Sequence, residues 1–275
     1  MKSTSPLRTA AWLLAIFSIL ASCSKEQSSG SSIGPATIKI FLTDHQTPVF
    51  DSVFIDLQKL EVRMEDNTSD QGWINLSIQP GVYNILKFRN GLDTVFANGS
   101  VPSGSIRKIR LTLGSQNSVM RNGQSFPLRI KDQDQQQVVI NISDDDMDRL
   151  EPGKLVSWLD FDAGNSIRID NSGGANNSEF ELRPKIKLFT KSHTGSIEGK
   201  ILPENARAVV MAIQGADTAT AIPENHEGEF KIMGLAAGNY KLFIEGQNGF
   251  LDSTINNVVV RRGEDTHLPA VVLHQ

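Results

Sequence analysis

What most limits the fold of this chain is the period of its apolar residues. From residue 36 onward they alternate with polar residues in short runs, and Gly, Asn, Asp or Pro breaks each run within a few positions. Thr37-Ile38-Lys39-Ile40-Phe41-Leu42 opens the series. Val53, Ile55 and Leu57 share one face between Ser52 and Arg63, and Ile109, Leu111 and Leu113 alternate with Arg110 and Thr112. Val138, Ile140 and Ile142 repeat the pattern. A period of two sends alternate side chains to opposite faces of a strand, one for a core and one for water. Long stretches with the helical period of 3.6 are hard to find, so the expectation is a mainly all-β fold. Asn122-Gly123 lies between Val119-Met120 and Phe126-Pro127-Leu128, and this pair suits the positive φ angles of a tight hairpin. The mostly apolar run 155–161 reads as a central strand. One short helix is expected, with Ser143 as N-cap, Asp146 at the capping-box position and a stop at Pro152-Gly153.

A chain of 275 residues suggests two domains or one large β unit. The pattern divides near residue 194. Residues 36–190 read as a larger β-sandwich-like domain with the short helix. Residues 194–275 hold Ile197 and its neighbours, the small-apolar run 208–212, Phe230-Lys231-Ile232, Tyr240-Lys241-Leu242, Val258 to Val260 and Ala270 to Leu273. That is the pattern of a seven-stranded β-sandwich with Gly-rich turns. No period of 20–50 residues recurs, so a solenoid is excluded.

The N-terminus reads as an address. Lys2 and Arg8 precede an apolar stretch at 10–20, too short to span a hydrocarbon core of about 30 Å but suited to a signal peptide. Leu20-Ala21-Ser22-Cys23 follows, and Cys23 is the only cysteine. The segment resembles the bacterial lipoprotein lipobox, which implies cleavage after residue 22 and lipidation of Cys23. Two or more acyl chains hold a protein stably on a membrane without a spanning helix. Residues 23–35 then read as a Ser/Gly tether with a span of about 20 Å. Lys25-Glu26 weakly resembles the charged export signal of Bacteroidetes surface lipoproteins, which implies the outer membrane facing the medium, with the periplasm as the alternative. Residues 1–22 hold two basic groups and no acid, so without them the net charge falls from −4 to −6.

Two further resemblances rest on spaced motifs. Gly195-Ser196-Ile197-Glu198-Gly199, the run from Ala206 to Ala212, Gly228-Glu229-Phe230, Gly234-Leu235 and Gly238-Asn239-Tyr240 are similar to the carboxypeptidase regulatory-domain-like group. The resemblance implies a transthyretin-like sandwich acting as a non-catalytic spacer or folding partner. Ile40-Phe41-Leu42-Thr43-Asp44, Gly72-Trp73-Ile74-Asn75-Leu76, the segment 85–91, Val101-Pro102-Ser103-Gly104, Leu159-Asp160-Phe161-Asp162-Ala163 and Leu182-Arg183-Pro184 resemble the lipoprotein family called domain of unknown function 4382. That implies a β-rich envelope lipoprotein. The family's usual Asp-Ala-Pro after the first strand is here Asp44-His45-Gln46.

Candidate chemistry is sparse. Asp160, Asp162, Asn165 and Asp170 bring hard oxygen ligands close together, as a Ca²⁺ or other ligand site would, but their spacing is not that of an EF-hand. The plainer reading is a strand with outward acids running into a turn at Gly164-Asn165. Asp144, Asp145 and Asp146 read as charges favourable to a helix N-terminus. The five His form no zinc motif, and no Gly-x-Ser-x-Gly elbow occurs. One Cys excludes an internal disulfide framework. Trp73 and Trp158 read as core residues, with sugar stacking as the alternative, and Arg107-Lys108-Arg110 as the solvated face of a strand. The net acidity argues against nucleic acid. The expected protein is therefore a non-catalytic lipoprotein of the outer envelope without a resident cofactor. Its leading role is capture of an extracellular glycan, and the alternative is a structural or adhesin-like subunit bound to an envelope protein.

Overall fold

A computed structural model describes residues 35–65, 72–132, 136–143, 153–170, 179–224 and 227–275. The helix expected from Ser143 to Pro152 lies almost wholly outside them, as do Asp144, Asp145, Asp146 and Cys23.

Thirteen strands form one continuous sheet: β1 (Pro35–Thr43), β2 (Ser52–Met64), β3 (Trp73–Ile78), β4 (Gly81–Asn84), β5 (Thr94–Pro102), β6 (Ile106–Leu113), β7 (Ser118–Arg121), β8 (Gln124–Arg129), β9 (Gln137–Asn141), β10 (Gly153–Phe161), β11 (Ile167–Asp170), β12 (Glu179–Leu182) and β13 (Ile186–Phe189). The long strand β2 is the hub. It pairs with β3 and β4 along one edge and with β6 and β7 along the other. Its inward residues are Val53, Ile55 and Leu57, then Leu60 and Val62. The phase slips by one because the register against β6 shifts between Leu57 and Lys59. Such a bulge adds a residue, bends the strand and lets a sheet curl. The curl brings β13 up to β9 and wraps the apolar face on itself. Ile38, Ile40 and Leu42 of β1 meet Ile109 and Leu111 of β6 and Leu159 and Phe161 of β10 in one core. Burying each such side chain contributes about 1.5–3 kcal/mol. As expected, the run 155–161 is an inner strand, with β1 parallel on one side and β13 antiparallel on the other.

Eight strands follow: β14 (Gly195–Leu202), β15 (Val209–Gln214), β16 (Asp217–Ala221), β17 (Glu229–Leu235), β18 (Gly238–Glu245), β19 (Ser253–Val260), β20 (Asp265–His267) and β21 (Val271–Val272). They make two four-stranded sheets that share a second core, with Ile197, Phe230 and Ile232 from one sheet against Val210, Leu242 and Val260 from the other. The strand count is eight rather than the expected seven. Asp217-Thr218-Ala219-Thr220-Ala221 and Asp265-Thr266-His267 carry no large apolar residue, so alternation does not reveal them. The helix among the described residues is a single turn, α1 (Ala163–Ser166), which replaces the expected Gly164-Asn165 turn.

Candidate functional site

The site grows from the outward face of β1, β10 and β13. Phe41 faces Trp158 and Trp158 faces Phe189 across the strands. The three rings stack, with centroids 5.7 and 5.9 Å apart and planes within 18° and 15°. Trp158 is buried, as its apolar surroundings predict, and its indole Nε1 donates to Asp93 Oδ2 at 2.7 Å. The period of two puts Asp160 on the same face as Trp158. That face is not open to water. Gly234 of β17 lies against Phe189, so that a Cβ there would stand 2.6 Å from the ring. Asp160 is accordingly 0% exposed, which corrects the reading of it as an outward solvated acid.

Beyond β1 the chain runs through Asp44, His45, Gln46 and Thr47, which fasten the large sheet to the smaller ones. Gln46 donates its backbone N–H to Thr220 O at 3.2 Å, and its side-chain Oε1 accepts from the Ile222 N–H. His45 Nε2 lies 3.1 Å from Met233 O, and Nδ1 lies 2.7 Å from Asp160 Oδ2. Lys187 Nζ stands 3.6 Å from the same carboxylate oxygen and donates to Gly234 O at 3.3 Å. Arg89 pairs with Glu224, and Asn90 Nδ2 donates to Ile222 O at 2.8 Å. Asp44 Oδ1 accepts from the Ala163 N–H at 2.9 Å, while its Oδ2 is buried without a hydrogen-bond partner.

Electrostatics separate the two buried carboxyls. Burial pushes Asp44 well above the ordinary carboxylate range, and the charge of Asp160 adds to the push. Burial also pushes Asp160 upward, but the nearby charges of His45 and Lys187 outweigh it and hold Asp160 below that range. Both nitrogens of His45 face oxygen atoms of the joint, a carboxylate and a backbone carbonyl.

A cleft of about 820 Å³ opens beside this joint, lined among others by His45, Asp160, Asp162, Asn165, Lys187 and Tyr240. It gathers three of the four acid-cluster candidates. Asp162 caps α1, accepting from the Asn165 N–H at 3.1 Å and from Asn165 Nδ2 at 2.8 Å. Asp170 sits on β11 and does not line the cleft. Among the described residues no three His, Cys, Asp or Glu side chains are grouped to hold a metal ion. His45, Asp44 and Gln46 carry no local sequence signal for this role, because their partners lie far along the chain. The one hint is that they stand where the related pattern has Asp-Ala-Pro.

Trp73 lies elsewhere, on the outer face of β3. Ile74 and Leu76 turn inward around it, so it stays partly exposed instead of entering the core, with the guanidinium carbons of Arg63 and Arg110 at 5.2 and 4.2 Å from its ring centroid.

No curated protein sequence matches the chain. Among solved structures, the type II cohesin-X-dockerin complex from Acetivibrio cellulolyticus is 19% identical over 29% of this chain and 56% of its own, with a TM-score of 0.22. The Bacillus anthracis TIE protein is 10% identical over 88% of this chain, which spans 34% of it, with a TM-score of 0.23. The fimbrial anchor protein Mfa2 from Porphyromonas gingivalis is 8% identical over 86% of this chain and 91% of its own, with a TM-score of 0.18. Likenesses at these scores decide neither fold nor function. The sequence is more specific: residues 35–184 match the Domain of unknown function (DUF4382), and as that is more than half of its length, the chain belongs to this family.

Proposed function

We propose that this protein is an envelope lipoprotein, anchored through Cys23 at the cell surface, that serves as a non-catalytic structural or adhesin-like subunit. The observation that supports this most is the joint after β1. There the groups that look most fit for chemistry, His45, Asp160 and Lys187, spend their polar atoms on holding the large sheet to β17. An arrangement of this kind makes one stiff body from two cores. The test is protease shaving of intact cells, with and without Cys23→Ala, followed by cross-linking of the wild-type surface. Loss of the wild type to protease, release of Cys23→Ala from the membrane and recovery of a stoichiometric envelope partner are expected. Protection in intact cells with cleavage after lysis would move the protein to the periplasm and end the surface reading.

A second reading, capture of an extracellular glycan, draws on the cleft of about 820 Å³. Its test is a glycan array on the purified protein; binding lost in a Tyr240→Ala or Asn165→Ala variant would place that function in the cleft.

A further inference from the structure

The outer face formed by β3, β2, β6 and β9 has a charge pattern that the composition does not suggest. Cross-strand register sets Trp73 beside Arg63, Arg63 beside Lys108, and Lys108 beside Asn141. The next row is Asn75, Glu61, Arg110 and Val139, and beyond it Thr112 stands beside Lys59 and Gln137. Residues in register share a face, so this is one surface, roughly 14 Å across at about 4.8 Å per strand. It carries four cations and a single carboxylate in a chain whose net charge is −4. Glu61 is buried beneath them and accepts from Lys59 Nζ and Arg110 Nε, both at 2.7 Å. Arg63 and Lys108 have no acidic partner among the described residues.

Trp73 sets the geometry. The two guanidinium groups lie over its ring. Stacking of this kind holds the plane of an Arg and leaves its N–H edge to fork a carboxylate. Around the cations stand neutral amides and a hydroxyl, namely Asn75, Asn141, Gln137 and Thr112, with Val139 the large apolar residue exposed on the rows described.

We infer that this face binds a polysaccharide bearing carboxylates along its chain, with Arg63 and Lys108 meeting the acid groups and the neighbouring amides meeting hydroxyls. The mixture favours this partner over other polyanions. A nucleic acid carries a dense row of phosphates and calls for more uncompensated cations than two. A lipid surface calls for apolar side chains free to insert, and beside Val139 the face offers the ring of Trp73, which two guanidinium groups cover. The inference deepens the adhesin-like reading by naming a partner class, but the binding itself does not depend on where the protein faces.

The experiment measures binding of the full-length lipidated protein, purified in detergent, to immobilised polygalacturonate. Neutral dextran, single-stranded DNA and anionic phospholipid vesicles serve as comparison surfaces. Wild type should bind polygalacturonate in a salt-sensitive way and not bind dextran. Arg63→Gln with Lys108→Gln should weaken binding about tenfold or more, as expected for the loss of charge-assisted hydrogen bonds. Its thermal unfolding should stay that of wild type, and Arg261→Gln, on an exposed side chain elsewhere, should change nothing. Equal binding by the double variant, absence of binding to polygalacturonate, or tighter binding to DNA or vesicles would each overturn the inference. Because this assay is independent of cell topology, its failure beside a positive shaving result would leave the surface-subunit reading intact.

Discussion

The contact between His45 and Asp160 can be tested by a double-mutant cycle. Asp160 is fully buried, and the side chain of His45 is 12% exposed, so water screens this pair little. Lys187 also faces Asp160, but at 3.6 Å and with its side chain 46% exposed, so it substitutes poorly for the imidazole. Removing one partner of a buried pair costs about 3–5 kcal/mol, chiefly because the other charge stays behind unpaired. The 2.7 Å contact is not an aligned hydrogen bond, since Asp160 Oδ2 has no bonded donor, so the lower end of that range applies. Asp160→Asn and His45→Gln should each destabilise by about 3 kcal/mol. Together they should cost far less than the sum, with a coupling of about 2 kcal/mol. Equilibrium urea unfolding followed by tryptophan fluorescence and by circular dichroism gives all four stabilities. Additive single effects, with a coupling below about 0.5 kcal/mol, would refute the account of the joint as an electrostatic clasp.

Asp44 predicts a pH dependence of opposite sign to that of Asp160. Its raised folded pKa means the native state holds the proton more tightly, so stability should fall as pH rises from the ordinary carboxylate range towards the raised value, by about 1.4 kcal/mol per unit of separation, and Asp44→Asn should remove that fall in pH-resolved urea melts. Asp160, held below the ordinary range, adds stability that is present above its unfolded pKa and is lost as pH falls through its folded value; comparing Asp160→Asn with wild type at acid pH reads this out. Gly234 has φ +68° and no room for a Cβ against Phe189, so Gly234→Ala should destabilise by about 1–3 kcal/mol and change the near-ultraviolet signal of the stacked Trp158. Gly123, at φ +73° with open space around it, should cost only about 1 kcal/mol on replacement by Ala, from backbone strain alone.

The strands were legible where local pattern and final environment agree. Ile109, Leu111 and Leu113 alternate because one face of β6 meets the core and the other meets water. The Asn122-Gly123 hairpin follows from backbone sterics, and both residues have positive φ. The alternation around Asp160 was legible too, since Trp158 and Asp160 do share a face. What covers that face was not. The strand β17, some seventy residues further on, turns an apparent surface into an interior, and no period of two can announce that. His45 is hidden for the same reason, as its partners Asp160 and Met233 are distant in sequence. The slip in β2 after Leu57 breaks an otherwise clean alternation, and only the paired strand β6 shows it to be a bulge rather than the end of a strand. Trp73 reads as core from its apolar neighbours, yet those neighbours claim the inward positions and leave the indole outside.

The position of β1 has a mechanical consequence. It is an interior strand, hydrogen-bonded along nearly its whole length to β5 on one side and β10 on the other. A pull on Pro35 directed along the strand axis runs parallel to its neighbours and perpendicular to the bonds that hold it. The ladders on both sides must yield together, in shear, instead of opening one bond at a time as an edge strand peels. If the proposed anchor at Cys23 carries a load, that load meets two ladders at once.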